Sequence, residues 1–269
     1  MTETLGIAGS GVIATGLAAC AARTGGHVLW ARSEDSADRA RVVIAKVCER
    51  LGDSHVAANV QVTTDLAEMS HASFLVEAIA EDLALKSEIL GRLGKLARTD
   101  AVITSTTSSL CIESLAAASG RPECFSGLHV FNPVPKMRLV EVAFPAKATT
   151  DTRRRVHELC IALDKEAVET PAVPGFVVNG LLFPFLFNAV EYLDRTGLAP
   201  ETIDACMQLG AGHPMGPITL LDYIGLDVCV AIGDALGLEV PHRLRSLVVE
   251  GATGKKARRG LYPAAHYST

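Results

Sequence analysis

The chain has 269 residues, 49% hydrophobic and 20% charged, enough to bury one large core or two modest ones and too apolar for a disordered adaptor. Lys and Arg number 25 against 30 Asp and Glu, a net charge of −5, which excludes a broadly basic nucleic-acid surface; the only cationic clusters are Arg153 to Arg155 and Lys255 to Arg259. The opening Met-Thr-Glu has no basic leader character and later apolar runs break before spanning length, so the expectation is a cytoplasmic protein that engages no membrane. Seven cysteines, odd in number and without a Cys-x-x-Cys pair, read as reduced core thiols, and no metal site is expected.

In chain order, short β-type runs alternate with helix-period runs from Leu5 to about Thr170. Strands are expected at Leu5–Ala8, Val28–Ala31, Val60–Val62, Phe74–Ala78, Ala101–Thr104, Phe125–Val130 and Leu139–Ala143. Helices are expected at Ala14–Thr24, Ala37–Leu51, Leu85–Leu96, Ile112–Ala118 and Arg153–Leu163, the last capped by Asp151. Such a βαβ succession predicts a mainly parallel sheet covered on both faces. After Pro171 and Pro174 the strand signal stops, and helices are expected at Phe176–Thr196, Pro200–Leu209, Pro217–Leu236 and His242–Val249. The chain therefore reads as an α/β domain over residues 1–172 and an all-helical domain over 173–269. The apolar excess at Leu181 to Phe187 fits helix association or a homodimer interface as well as core packing.

The first strand runs into Gly9-Ser10-Gly11-Val12-Ile13-Ala14 and then a helix. Gly9 permits the tight turn, Gly11 lets backbone approach a pyrophosphate, and Ala14 stands for the third small residue of a dinucleotide-binding turn. The second strand ends in Ala31-Arg32-Ser33 where a carboxylate would accept from a ribose 2′-hydroxyl. A guanidinium beside a hydroxyl suits a 2′-phosphate, so NADP is expected to be preferred, with NAD possible; Arg32 could instead stack on adenine or lie in solvent. Two further strands end in Val76-Glu77-Ala78-Ile79-Ala80-Glu81-Asp82 and in five hydroxyls, Ser105 to Ser109, of which Ser108 or Ser109 is expected to cap the next helix.

The sharpest feature is Gly127-Leu128-His129-Val130-Phe131-Asn132-Pro133-Val134-Pro135 followed by Leu139-Val140-Glu141-Val142. A histidine ending a strand is commonly structural. If the next run returns antiparallel, however, Glu141 meets the imidazole of His129. Such a pair suits proton removal from an alcohol and, with a nicotinamide cofactor, alcohol–ketone interconversion.

These motifs, with Thr107-Ser108-Ser109-Leu110, Pro174-Gly175-Phe176-Val177-Val178-Asn179 and Gly212-His213-Pro214-Met215-Gly216-Pro217, resemble the L-3-hydroxyacyl-CoA dehydrogenases, including 3-hydroxybutyryl-CoA dehydrogenases, from about Leu5 to Tyr262. The resemblance implies a Rossmann-type, doubly wound parallel sheet followed by a helical domain that dimerises. It implies His129 as acid–base group, Glu141 orienting and charging it, Ser108 hydrogen-bonding the substrate and sitting against the nicotinamide, and Asn179 helping to hold the reacting oxygen near His129. It also implies that Glu81, Lys86 and Lys256 line the cofactor cleft. Thr106 stands where the family usually has Asn, and Gly180 where it usually has Arg. The segment from Ala37 to Thr64, a longer lysine-rich arm for CoA in the family, is shorter here and keeps Lys46 and Arg50 as nearby cations. The thioester partner is accordingly acyl-CoA or, alternatively, an acyl-carrier-protein-bound hydroxyacyl group of the polyketide extender-unit (hydroxymalonyl) type.

Overall fold

The computed structural model describes residues 3–267. The chain forms two compact units, one reaching Phe176 and the other beginning at Val177. In the first, eight strands make one sheet: β1 (Leu5–Ala8), β2 (His27–Trp30), β3 (Val60–Thr63), β4 (Phe74–Glu77), β5 (Val102–Ser105), β6 (Phe125–Val130), β7 (Leu139–Ala143) and β8 (Glu166–Glu169). Their order is β3-β2-β1-β4-β5-β6-β7-β8, parallel as far as β6. β7 turns antiparallel to β6, and β8 pairs parallel with β7. Five helices cover the sheet: α1 (Val12–Ala21), α2 (Glu34–Arg50), α3 (Leu83–Leu96), α4 (Ile112–Ser119) and α5 (Thr150–Ala162). The first six strands have the doubly wound dinucleotide-binding order, whose ligand crevice lies outside the strands' C-terminal ends where the order reverses, here between β1 and β4.

Both faces of the short strands are apolar because both are covered. Ile7, Leu29, Phe74 and Val76 pack with Leu17 of α1, Ile44 of α2 and Val156 of α5; Leu75, Ile103 and Phe125 pack with Leu90 and Leu93 of α3 and Leu115 of α4. Each fully buried Leu, Ile or Phe contributes about 1.5–3 kcal/mol. A one-residue slip would exchange the two sets, so this burial fixes the register and with it the strand ends that carry chemistry.

β8 was not visible in the sequence pattern. Three of its four residues, Glu166, Val168 and Glu169, are exposed on the sheet edge, where charge discourages pairing with another chain and removes the hydrophobic signal. The cap of α5 is Thr149, whose hydroxyl accepts from Thr152 N–H at 3.1 Å; Asp151 lies inside the first turn. Neither Ser108 nor Ser109 caps α4, which starts from Cys111 without a side-chain cap, because both serines are drawn to Glu81 instead.

The second unit is built from α6 (Val178–Thr196), α7 (Pro200–Ala211), α8 (Pro217–Ile224), α9 (Leu226–Ala235) and α10 (His242–Val249). The single helix expected over Pro217–Leu236 is two, separated at Gly225, whose φ of +106° breaks the helical path. Phe183, Leu186, Phe187, Ile218, Leu221 and Leu226 form its core. Asp204, buried on α7, accepts from Ile218 N–H, Thr219 N–H and Tyr262 Oη at 2.8–2.9 Å, joining the start of α8 to the C-terminal segment. Among the described residues no helix is long and apolar enough to cross a membrane.

Candidate active site

Five strand ends, those of β1, β2, β4, β5 and β6, lie at the C-terminal edge of the sheet. After β1, Gly9 adopts φ +137°, and a Cβ there would lie 2.2 Å from the Ala78 carbonyl oxygen, so only glycine fits the turn. Gly11 caps α1 without a side-chain hydrogen bond, and a Cβ added to it meets nothing within 4 Å. The uncapped N–H groups of the first turn thus face open space, which a pyrophosphate of a dinucleotide fits and a larger residue would invade. Ser10, Val12 and Ile13 lie at the same turn. After β2, Ala31 is fully buried and Arg32 is exposed, with no ion pair among the described residues. Ser33 is also exposed; its hydroxyl caps α2, accepting from Ser36 N–H at 3.3 Å.

After β4 and β5 the polar residues interlock. The Oε1 of Glu81 accepts Thr107 Oγ1 at 2.6 Å, Ser108 N–H at 2.8 Å, Ser109 N–H at 3.1 Å and Ser109 Oγ at 3.0 Å. Ser108 Oγ stands off at 3.4 Å, only weakly engaged and available to a ligand. Lys86 is not a cation presented to an open cleft: its side chain is 1% exposed, with Nζ 2.7 Å from Glu77 Oε1 and 3.3 Å from Glu81 Oε2. Burial raises the Glu81 carboxyl, but Lys86 and the Thr107, Ser108 and Ser109 donors outweigh it and hold the group below the ordinary carboxylate value.

The antiparallel return of β7 sets Glu141 directly opposite His129 on β6. His129 Nδ1 lies 2.7 Å from Glu141 Oε2, both residues being buried. An ionised carboxylate only accepts, so Nδ1 carries a proton toward Glu141, and in the neutral ring Nε2 is the nitrogen left to accept. Two rings fix the imidazole plane: Phe176 stacks on it at 5.1 Å and 20°, and Phe131 tilts against it at 4.5 Å. Phe176 holds a positive φ of 48°, uncommon for a bulky side chain, just after Gly175, whose N–H donates to the Ser108 carbonyl at 3.0 Å. Histidine, its clamp and the hydroxyl loop are thereby tied together. Buried Lys165 donates to Val134 O at 2.6 Å and anchors the proline-rich turn that follows His129.

Family comparison agrees over both units. Residues 4–173 match the model of the 3-hydroxyacyl-CoA dehydrogenase NAD binding domain, and residues 175–264 that of the 3-hydroxyacyl-CoA dehydrogenase C-terminal domain. The chain belongs to the 3-hydroxyacyl-CoA dehydrogenase family. Members of this family are nicotinamide-dependent oxidoreductases acting on CH–OH groups. The chain is 39% identical to the human mitochondrial hydroxyacyl-coenzyme A dehydrogenase over 95% of its own length and 89% of that protein. It is 37% identical to a Deinococcus radiodurans protein named "Probable 3-hydroxybutyryl-CoA dehydrogenase", over 96% and 98% of the two chains. The crystal structure of (S)-3-hydroxybutyryl-CoA dehydrogenase from Ralstonia eutropha superposes with a TM-score of 0.92 at 31% identity, covering 100% of both chains.

Two residues expected to serve the site of a 3-hydroxyacyl-CoA dehydrogenase lie in the second unit. Asn179 is buried in the first turn of α6. Lys256 is exposed in a 3-10 turn, with Nζ 2.5 Å from Asp227 Oδ2. Sequence reading did not single out Phe131 and Phe176 as the ring clamp. Both lie inside quoted motifs, but nothing in their spacing states that two aromatic rings close on one imidazole.

Proposed function

We propose that the protein is an L-3-hydroxyacyl-thioester dehydrogenase working through His129. The observation that carries this reading is the His129 Nδ1 to Glu141 Oε2 contact of 2.7 Å at the edge of a dinucleotide-binding sheet. In oxidation His129 Nε2 takes the proton of the substrate 3-hydroxyl, and in reduction it returns one to the carbonyl oxygen. Glu141 holds the tautomer and offsets the positive charge that forms on the ring. Ser108 donates its loosely held hydroxyl to the substrate, and Asn179 supplies a further donor for the reacting oxygen. A nicotinamide dinucleotide, when bound, would supply the hydride acceptor or donor for the reaction. Gly9, Ser10, Gly11, Val12 and Ile13 would hold its phosphates, and Glu81 and Lys256 would line its cleft. Lys86 acts from beneath, since its ammonium is buried.

NADP is the preferred cofactor in this reading. Ala31 removes the ribose-binding carboxylate, and Arg32 leaves an exposed guanidinium at the end of β2. Near-complete alignment with relatives named for CoA thioesters favours acyl-CoA as substrate. A carrier-protein thioester is the second reading. It is favoured by α2, which ends at Arg50 and returns to β3 through one 3-10 turn, leaving Arg39, Val42, Val43, Lys46 and Arg50 exposed as a basic and apolar stripe. Turnover of acetoacetyl-CoA and of the same acyl group on carrier protein, each with NADPH and NADH, tests these assignments. The expected result is faster NADPH oxidation with the CoA thioester. No thioester-dependent oxidation of either cofactor overturns the proposal.

A further inference from the structure

Glu77 is the most buried carboxylate of the first unit, 0% exposed at the end of β4, and two of its three side-chain hydrogen bonds lead toward the hydroxyl loop after β5. Its Oε1 accepts Lys86 Nζ at 2.7 Å and Ile79 N–H at 2.8 Å. Lys86 in turn reaches Glu81 Oε2 at 3.3 Å, and the other oxygen of Glu81 gathers the N–H groups of Ser108 and Ser109. The Oε2 of Glu77 accepts Ser105 Oγ at 2.5 Å, and that hydroxyl accepts Thr107 N–H at 3.3 Å. Two routes, one through hydrogen bonds and the other through the Lys86–Glu81 ion pair, therefore run from one buried carboxylate to three consecutive amides of the loop.

The charge count explains why a carboxylate is needed. An ammonium buried to 1% exposure requires an anion against it, and Glu81 is already saturated on one oxygen by the loop and partly exposed. Without Glu77 the ammonium keeps only the Ile79 carbonyl, at 3.4 Å, and Glu81 as acceptors, and draws the Glu81 carboxylate away from Ser108 and Ser109. A neutral amide at 77 also places an N–H donor either against the ammonium, which cannot accept, or against the Ser105 hydroxyl, whose own proton then loses its carboxylate acceptor.

We propose that Glu77 is a positioning residue that sets the Thr107–Ser109 loop through Lys86 with Glu81 and through Ser105, and so fixes where Ser108 presents its hydroxyl. The functional consequence rests on the dehydrogenase reading of Ser108. The positional claim does not, and its test reads the loop directly.

Amide hydrogen exchange of the whole chain carrying Glu77→Gln measures it. Protection of the Thr107, Ser108 and Ser109 amides is expected to fall at least tenfold relative to amides of α4 and β6. Unchanged loop protection, or a uniform loss over the first unit as in simple destabilisation, overturns the proposal. Should that variant fail to fold, Glu77→Gln combined with Lys86→Met removes both buried charges together and is read the same way. There too a local loss supports the proposal and unaltered loop amides refute it. Thioester-dependent cofactor oxidation by the wild-type protein separately decides the dehydrogenase reading. If it is absent while the loop loosens, only the catalytic consequence falls.

Discussion

At Arg32 the proposed choice between two cofactors falls to one side chain, because a carboxylate at the end of β2 would accept from a 2′-hydroxyl whereas a guanidinium would pair with a 2′-phosphate. A charge-assisted hydrogen bond contributes about 1.5–3 kcal/mol, or roughly a tenfold or greater effect on affinity. Arg32→Asp should therefore lower kcat/KM with NADPH by at least about tenfold and raise the relative use of NADH. An unaltered cofactor ratio would place the 2′-phosphate elsewhere. Glu141 tests the other half of the site at the same scale. Glu141→Gln keeps the size of the group but removes the charge proposed to compensate the imidazolium, so kcat should fall by about 10²-fold or more with cofactor affinity unchanged. A loss confined to KM would assign Glu141 to binding rather than to proton transfer.

At the scale of elements, His27 joins β2 to β1. Its Nδ1 accepts Leu5 N–H at 3.0 Å, and Thr24, whose hydroxyl already donates to Ala21 O, accepts from Nε2–H. Nδ1 can accept from Leu5 only while the ring is neutral, and burial lowers its pKa below the ordinary 6.5. The unfolded chain consequently binds the proton more readily, so this contribution is present above about pH 6.5 and is lost as pH falls through the lower folded value. The gap in urea midpoint between the wild type and His27→Gln should narrow from pH 7.5 to pH 5.5; a pH-independent gap contradicts the assignment. In the second unit, Asp204→Ala leaves the Ile218 and Thr219 amides without their acceptor and should cost about 2–3 kcal/mol in chemical denaturation. No loss of stability would remove Asp204 as the anchor of α8.

Much of this level was legible in the sequence. Seven strands and the helices between them show as alternating apolar periods, and His129 with Glu141 shows as two adjacent apolar runs that need only an antiparallel return. What escaped has a physical cause in each case. β8 carries its charge outward on an edge and has no apolar period. Ser108 and Ser109 look like helix caps until Glu81, distant in sequence, takes their N–H groups. Lys86 looks like a solvated helix cation until α3 docks on the sheet and buries it against Glu77. Packing across elements, not local preference, settled all three.

At the scale of the whole molecule, the two units match the two domain models of one family, and the second exposes large apolar side chains. Leu181, Leu209 and Val249 are 72%, 89% and 88% exposed, more apolar surface than an isolated helical unit needs to leave in water. Sedimentation at micromolar concentration should therefore give a dimer, and Leu209→Glu should shift it toward monomer; a wild-type monomer would refute the assignment of this unit to self-association. The account as a whole turns on one imidazole. Pre-steady-state turnover of acetoacetyl-CoA with saturating NADPH, comparing wild type with His129→Gln, tests it most directly. Loss of His129 should slow the chemical step by about 10²–10⁴-fold while NADPH binding, read by its fluorescence, is unchanged. A variant that turns over within about twofold of wild type would show that the proton moves by another route.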